Sequence, residues 1–437
     1  MQVQRQKDSW GKYLGLLLIL GLALILRLSV MPFDGNTGDL LSFDRWTWII
    51  QNSGLFYFYD AEYHPADWDR TYPPLSTIAL GAVALVRGDF PANFNPFTDH
   101  TLDVVFKLFP VVCELALIVA AYLWLASHRV WRYRIPLLLA IFPGLIATTA
   151  WWGQYDAAFT LFLVLALMAL NRDQVNLAWL LFGVALLFKQ PAIVMLPLLF
   201  VVSLRRYGLR HTTRGVVCMA VLCAVVFAPF AAVDGVRQAI SPYLEIGGSG
   251  PSANLTDNAF NLWHLVGSLH KGAALRFGDV GYSDTQTVLG PLTFSQVGAG
   301  LLLIFVLLLL IIVWKRAHER QEFVWAAALY LGYFLLPTEV HERYLYTGAI
   351  LMLLAVSQYK RVLWPAIGVM LTYSYNILQV ILSYLQPNLN LFPDVLSMVA
   401  ASLNCLFLIV IIWLILNPDS RQKVYAQSKF AVEPIRS

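Results

Sequence analysis

Long apolar stretches alternate with short polar joints along almost the whole chain. A helix crosses a bilayer with about 20 apolar residues, in a range of about 17–25. Stretches 13–30, 104–126, 215–233, 296–314, 362–382 and 395–416 have that length. Shorter ones lie at 134–150, 156–171, 323–337 and 344–357. The run 176–204 is too long for one crossing and is interrupted by Lys189, Gln190 and Pro191, so it reads as two short helices meeting near the outer surface. The pattern predicts an all-α polytopic membrane protein with about 12 transmembrane helices. The first stretch follows Arg5, Lys7 and Lys12 without a small-residue cleavage site and reads as an anchor, not a removable signal.

Charge gives the direction of the crossings, because short cytoplasmic loops are rich in Lys and Arg. The basic clusters are Arg129/Arg132/Arg134, Arg205/Arg206/Arg210/Arg214, Lys315/Arg316/Arg320, Lys360/Arg361 and Arg421/Lys423. Placing all of them inside, with both termini cytoplasmic, satisfies every stretch except the short 75–87. That segment is therefore expected to be an interfacial or re-entrant helix on the outer side. In this arrangement the cytoplasmic side carries 20 basic and 6 acidic residues, and the remainder 10 and 20, which restores the net +4. The outer face is acidic.

Composition removes whole classes of function. Of 437 residues, 59% are hydrophobic and 13% charged, where a soluble domain has about 45–50% and about 25%. A soluble enzyme, a nucleic-acid binder and a disordered chain are excluded. Cys113, Cys218, Cys223 and Cys405 all lie in apolar runs, with spacings that suit neither a zinc site nor a disulfide framework.

Two outer segments are long, 31–103 and 234–295, within what reads as a single transmembrane domain. They are rich in Trp, Tyr, Phe and Pro, so they are expected to be folded and to carry the function. No internal repeat of the kind expected in many transporters is visible. The first segment opens with Gly38-Asp39 ahead of Trp46 and Trp48, a pattern suited to an interfacial helix. Asp39 reads either as a helix N-cap or as a carboxylate held at the bilayer surface. Asp44, beside Arg45, reads as a surface pair or a structural support. Arg70 and Tyr72, ahead of Pro73-Pro74, suit substrate contact and headgroup anchoring equally. Gln154, Tyr155 and Asp156 open a helix that runs straight into the membrane, where an ionisable residue is a functional candidate by default. Lys189 sits between two apolar helices and needs an anionic partner. His341, Glu342 and Arg343 gather between two short outer-side crossings. Internal salt bridging is the alternative reading for these last clusters.

No Walker loop, dinucleotide fingerprint, metal-ligand histidine pair or nucleophile elbow is present. No metal and no cofactor is expected. Outer carboxylates, cations near the membrane surface and aromatic loops suit a lipid-borne phosphate substrate. Its tail would enter from the bilayer, its phosphate would meet Lys or Arg, and a carboxylate would handle a proton.

These features, taken in order, resemble the GT-C glycosyltransferases that use polyprenyl-phosphate sugars. The similarity is to dolichyl-phosphate-glucose-dependent glucosyltransferases of N-glycan assembly and to bacterial relatives of the second mannosyltransferase of GPI-anchor synthesis. It is carried by Gly38-Asp39 with Arg45-Trp46, Tyr72-Pro-Pro-Leu75, Phe142-Pro-Gly-Leu145 with Gly153-Gln-Tyr-Asp156, Lys189-Gln190, Asn258-Ala-Phe-Asn-Leu-Trp263 and Val340-His-Glu-Arg343, over residues 30–345. The resemblance implies the GT-C fold with interfacial helices in the first outer loop. It implies Asp39 as the general base that takes the acceptor hydroxyl proton in a single inverting displacement. Lys189, His341 and Arg343 are then expected to stabilise the donor phosphate. Gln154, Tyr155 and Asp156, with Arg70 and Tyr72, are expected to bind sugar or acceptor. Asn258, Asn261 and Trp263 would form a cavity wall or lid. The implied partners are a polyprenyl-phosphate sugar (mannose or glucose), a glycan or glycolipid acceptor and membrane lipids, with no nucleic acid. The implied place is the plasma (inner) membrane, with the active site extracytoplasmic. The chain is shorter than the eukaryotic enzymes and has no recognisable retention signal, so donor and acceptor need not be those of N-glycan assembly.

Two rival readings remain from the sequence. An O-antigen-type polymerase or ligase would rely on outer-loop arginines more than on an aspartate after the first helix. A lipid-linked-sugar flippase or secondary transporter would carry charges at the midplane of several helices, whereas here most charges fall at helix ends.

Overall fold

In the computed structural model the described residues are 2–60 and 72–244, without 36, 97, 100, 102–103 and 129, then 253–275 without 274, 283–386 and 394–417. Arg70 lies outside them. The chain forms α1 (Gln2–Val30), α2 (Thr37–Ser53), α3 (Pro74–Arg87), α4 (Val105–Trp124), α5 (Trp131–Ile141), α6 (Pro143–Ile146), α7 (Asp156–Asn171), α8 (Val175–Phe188) and α9 (Leu196–Asp234). There follow α10 (Val236–Ala239), α11 (Ser241–Leu244), α12 (Leu262–Lys271), α13 (Phe294–Arg316), α14 (Glu322–Leu335), α15 (Leu345–Ala355), α16 (Leu363–Leu385) and α17 (Asp394–Leu416). A small antiparallel hairpin, β1 (Thr287–Leu289) and β2 (Leu292–Thr293), leads into α13.

The expected stretches are helical, except that 134–150 is broken at the extended Phe142 and ends in a π-helical turn. Six helical segments among the described residues have the length and apolarity to cross a membrane: Tyr13–Val30, Val105–Trp124, Gln190–Asp234, Phe294–Glu319, Lys360–Leu385 and Val395–Leu416. The pair Trp131–Ile141 and Pro143–Trp151, bent by 54°, makes a seventh if counted as one span. Apolar helices α3, α7, α8 and α14 are shorter than a crossing. The chain is an all-α polytopic membrane protein on this architecture.

The boundaries follow local chemistry. Prolines open α3 and α6 at the first turn, where a missing N–H costs nothing. Asn261 caps α12 by accepting from the Trp263 and His264 backbone N–H groups. Thr293 and Gln296 form a reciprocal capping box on α13. The long α9 is two helices broken at Gly208, whose φ of 79° and ψ of 172° leave the helical region. The break falls among Arg205, Arg206 and Arg210, where the sequence expects a cytoplasmic turn.

Burial separates an inner from an outer set of helices. Almost every residue of α7, α14 and α15 is buried. By contrast α1, the second half of α9 and α13 present large apolar side chains outward, among them Leu17, Leu18, Val221, Val225, Leu303 and Ile304. An apolar exterior around helices with internally satisfied backbones suits a lipid solvent. Helices α2 and α3 pack on each other, tied by Gln51 Nε2 donating to the carbonyls of Ala84 and Gly88, both at 2.8 Å. Asp44 is buried and accepts from the Thr101 N–H at 2.8 Å and its hydroxyl at 2.9 Å, with Arg87 at 3.7 Å. Of the two readings of Asp44, the structural support is the one observed.

Candidate active site

Residues 31–35 form a short strap between α1 and α2, and Asp39 follows in the first turn of α2. Facing it is an unusual piece of backbone. After α6 the chain winds one π-helical turn, Ala147–Trp151, and then runs through Gly153 at φ +87° into α7. Such π-turns recur at functional sites because they turn side chains out of helical register. Here the turn delivers Trp152 and Gln154 to Asp39. Trp152 Nε1 donates to Asp39 Oδ2 at 2.9 Å, and Gln154 Nε2 donates to the same oxygen at 2.5 Å.

Two cations approach this pair from other helices. Arg343, in the 3-10 turn before α15, places its guanidinium 3.9 Å from Asp39 Oδ2, 3.2 Å from Glu342 and 5.5 Å from the Trp152 ring centre. Lys189 sits in extended backbone between α8 and the 3-10 turn Gln190–Met195. Its ammonium donates to Asp156 Oδ2 at 2.6 Å and to Gln154 Oε1 at 3.4 Å. The Tyr72 hydroxyl donates to the same Gln154 oxygen at 3.4 Å. Gln154 therefore joins the carboxylate of Asp39 to the ammonium of Lys189 through its two ends.

The structure thus brings Asp39, Tyr72, Gln154, Asp156, Lys189 and Arg343 into one network from α2, the start of α3, the π-turn, α7, α8 and the α14–α15 loop. Accessibility is graded across it. Asp39 is 32% exposed and Arg343 15%, whereas Lys189 and Asp156 are 5% and 1%. The groups open to a substrate are therefore Asp39 and Arg343. Two buried polar atoms in the network, Asp156 Oδ1 and Arg343 Nε, have no hydrogen-bond partner among the described residues. Buried polar atoms in that state are rare in folded proteins.

His341 stands one step away, its Nε2 3.7 Å from Asp257 Oδ2. Its side chain is 36% exposed, and desolvation by its neighbours first, then the charges of Arg343 and Lys189, lower the imidazole's pKa, so it is neutral near pH 7. Burial pushes Glu342 up to about 7, against the pull of Arg343. Burial, followed by Asp284 and Asp257, pushes Glu339 up to about 7 as well. Asp257 is also raised, by burial first.

The remaining expected residues are placed differently. Tyr155 is fully buried, its ring packed against Phe43, Tyr72 and Phe109 behind the site. Asn261 is the cap of α12, and Trp263 donates to the Leu336 carbonyl at 2.8 Å. Asn258 offers its carbonyl to Asn376 at 2.8 Å, and the Asp257 N–H donates to the Val340 carbonyl at 3.1 Å. Together they dock the second outer segment onto α14, α16 and the loop that carries His341. Trp152 and Asp257 belong to the site although the sequence did not single them out, and Glu342 joins it from the cluster the sequence did mark. A tryptophan beside a membrane helix is common at bilayer interfaces, so Trp152 carries no signal of its own in the sequence.

The chain matches the model of glycosyltransferase family 87 over residues 71–339, more than half its length. It belongs to glycosyltransferase family 87. This family 87 protein is also 25% identical over 358 residues to a dolichyl pyrophosphate Glc1Man9GlcNAc2 alpha-1,3-glucosyltransferase of Arabidopsis thaliana, covering 75% of this chain and 69% of that one. It is a membrane glycosyltransferase of GT-C type. The family match spans Tyr72, Gln154, Asp156 and Lys189 and stops short of Asp39, His341 and Arg343. In this family 87 protein those three join the others through the geometry of the site.

Proposed function

We propose that this enzyme transfers a hexose, mannose or glucose, from a polyprenyl-phosphate donor to a hydroxyl of a lipid-linked or cell-envelope glycan. Transfer takes place on the extracytoplasmic side of the plasma membrane with inversion at the anomeric carbon. In this reading the chain crosses the bilayer 12 times with both termini inside, and α2 and α3 lie in the outer interface. Asp39 takes the proton of the acceptor hydroxyl. The freed oxygen pair bonds to the anomeric carbon, and the bond from that carbon to the donor phosphate breaks, its electrons leaving with the lipid phosphate. A phosphate is already a good leaving group, so one carboxylate is enough. Arg343 meets the phosphate charge. Lys189 contributes less, because Asp156 already shares its charge, and its larger effect is to fix Gln154. Neutral His341 serves as a hydrogen-bond donor to a phosphate oxygen. Asp156, 1% exposed, holds the Lys189 ammonium behind the place of the sugar.

The observation that carries this reading is the placement of the accessible Asp39 carboxylate. Two neutral N–H donors orient it, and a guanidinium stands 3.9 Å away. Donors on Oδ2 fix the direction in which the carboxylate faces, and the adjacent cation stands where leaving-group charge develops. The test is transfer by purified protein in nanodiscs, supplied with radiolabelled polyprenyl-phosphate glucose or mannose and a lipid and glycan extract. Product with inverted anomeric configuration by NMR supports the reading. Retained configuration, or movement of lipid-linked sugar across the bilayer without transfer, contradicts it.

A further inference from the structure

Asp39 stands in the first turn of α2, which a short strap ties to α1, and its donors Trp152 and Gln154 directly follow a π-turn. Neither strap nor turn is a rigid element by itself, yet a general base needs placement to a fraction of an ångström. The described residues show what holds the two together, and most of it comes from one face of α4.

Lys107 lies in the first turn of α4 and is wholly buried. Its Nζ donates to the Met31 carbonyl at 2.9 Å and to the Phe33 carbonyl at 2.6 Å. These carbonyls belong to the strap just beyond α1, where helix-end acceptors otherwise lack partners. The stem of the same lysine runs under Gly153, where an added Cβ would stand 3.2 Å from its Cγ. Seven residues further along α4, on the same face, lies buried Glu114. It accepts from Arg27 of α1 at 2.7 Å, from Thr149 of the π-turn at 2.5 Å and from Tyr346 of α15 at 3.1 Å. Arg27 also donates to the carbonyls of Ala23, Leu139 and Ala140. Strap and turn then touch directly. Trp151 Nε1 donates to the Asp34 carbonyl at 2.7 Å, and an added Cβ on Gly35 would lie 2.6 Å from the Trp151 carbonyl oxygen.

From this arrangement we infer that Lys107 and Glu114 are positioning residues for transfer. They form a two-point clamp on α4 that sets the distance between the Asp39 carboxylate and its donors Trp152 and Gln154. Lys107 holds the strap end and Glu114 holds the π-turn end. Neither touches the reacting atoms. Burying an ion pair such as Arg27–Glu114 inside a helix bundle is a weak source of stability, and geometric specification is what it supplies here. The inference rests on Asp39 being the base.

The test compares Lys107→Met, Lys107→Arg and Trp151→Phe with wild type and Asp39→Asn, all in nanodiscs, by steady-state transfer as a function of pH. Lys107→Met lets the strap drift, so kcat falls about tenfold or more, the size expected when an acid–base group loses alignment. The donor KM stays within about twofold, because donor-binding groups are untouched. The acid limb of the kcat/KM profile moves to higher pH, since a carboxylate that loses its donors holds its proton more tightly. Lys107→Arg, which restores donors to the same carbonyls, recovers most of kcat. Trp151→Phe, which removes the bond to the Asp34 carbonyl and leaves a smaller aromatic ring, moves kcat and the limb the same way by less. A smaller amount of folded protein lowers the amplitude and leaves the limb in place, so an unmoved limb in both Lys107→Met and Trp151→Phe overturns the inference. If Asp39→Asn stays active, the base assignment fails instead.

Discussion

Gln154 is the most economical place to perturb the site, because its amide reaches Asp39 with one end and Lys189 and Tyr72 with the other. Gln154→Leu keeps the volume and removes both functions. A hydrogen bond to a charged group is worth about 1.5–3 kcal/mol, so kcat/KM falls by roughly 10- to 100-fold in a transfer assay. Gln154→Glu should be worse, since it sets a second carboxylate beside Asp39. The loop carboxylates make a separate prediction. Glu339 and Glu342 sit at about 7 in the folded protein against an ordinary value of 4.5. Between those values the native loop holds protons that an unfolded chain has released. Their contribution to stability is complete below about 4.5 and lost as pH rises through about 7. Thermal unfolding in detergent should therefore drop across that interval, and Glu339→Gln should flatten part of the slope. An unchanged slope in the variant contradicts the assignment. At this scale the sequence showed residue types and spacings: Asp39, Lys189 and Arg343 stood out as charges beside apolar runs. It did not show that Trp152 faces Asp39, because a tryptophan at a helix end looks the same whether it faces lipid or a carboxylate. Nor did it show Arg27 and Glu114, which lie 87 residues apart and meet only through packing.

The elements divide into those that local chemistry specifies and those that need the whole bundle. Apolar length and basic joints mark α1, α4, α13, α16 and α17, and Lys189-Gln-Pro191 marks the end of α8. The break at Gly208 was legible as the basic joint of Arg205, Arg206, Arg210 and Arg214 between two apolar runs, and its cause is a backbone conformation reserved for glycine. Gly208→Val has room for its side chain but not for its φ of 79°. It should destabilise the protein by about 1–3 kcal/mol, read as a lower unfolding midpoint. Wild-type stability in that variant would mean that the two halves of α9 tolerate another joint. The π-turn after α6 was not legible. Its sequence, Ala-Thr-Thr-Ala-Trp, is helical by composition, and the wider turn is stabilised by Thr148 bonding to Tyr373 of α16 and Thr149 bonding to Glu114. Tertiary partners select it over an ordinary helix.

For the whole molecule, the polar chemistry is polarised along the bundle. One end holds Asp39, Asp156, Asp257, Glu339 and Glu342 with Lys107, Lys189 and Arg343. The other holds Arg206 paired with Glu322 at 2.5 Å and Arg320 paired with Asp173 at 2.7 Å, within the basic joints. The proposed topology puts the first end outside. Cysteines introduced at the exposed positions Thr285 and Lys360, in a background lacking the four native ones, test it. A membrane-impermeant thiol reagent should label position 285 in intact cells and position 360 only after permeabilisation. The reverse pattern would invert the membrane assignment and place transfer on the cytoplasmic side.

The most direct measurement is sugar transfer by Asp39→Asn in nanodiscs, with donor binding measured on the same preparation. With Asp39 as the general base, transfer falls by at least about 100-fold while the polyprenyl-phosphate sugar still binds with near wild-type affinity. Transfer at wild-type rate with binding intact would remove Asp39 from the chemistry, and with it the account of how this site works.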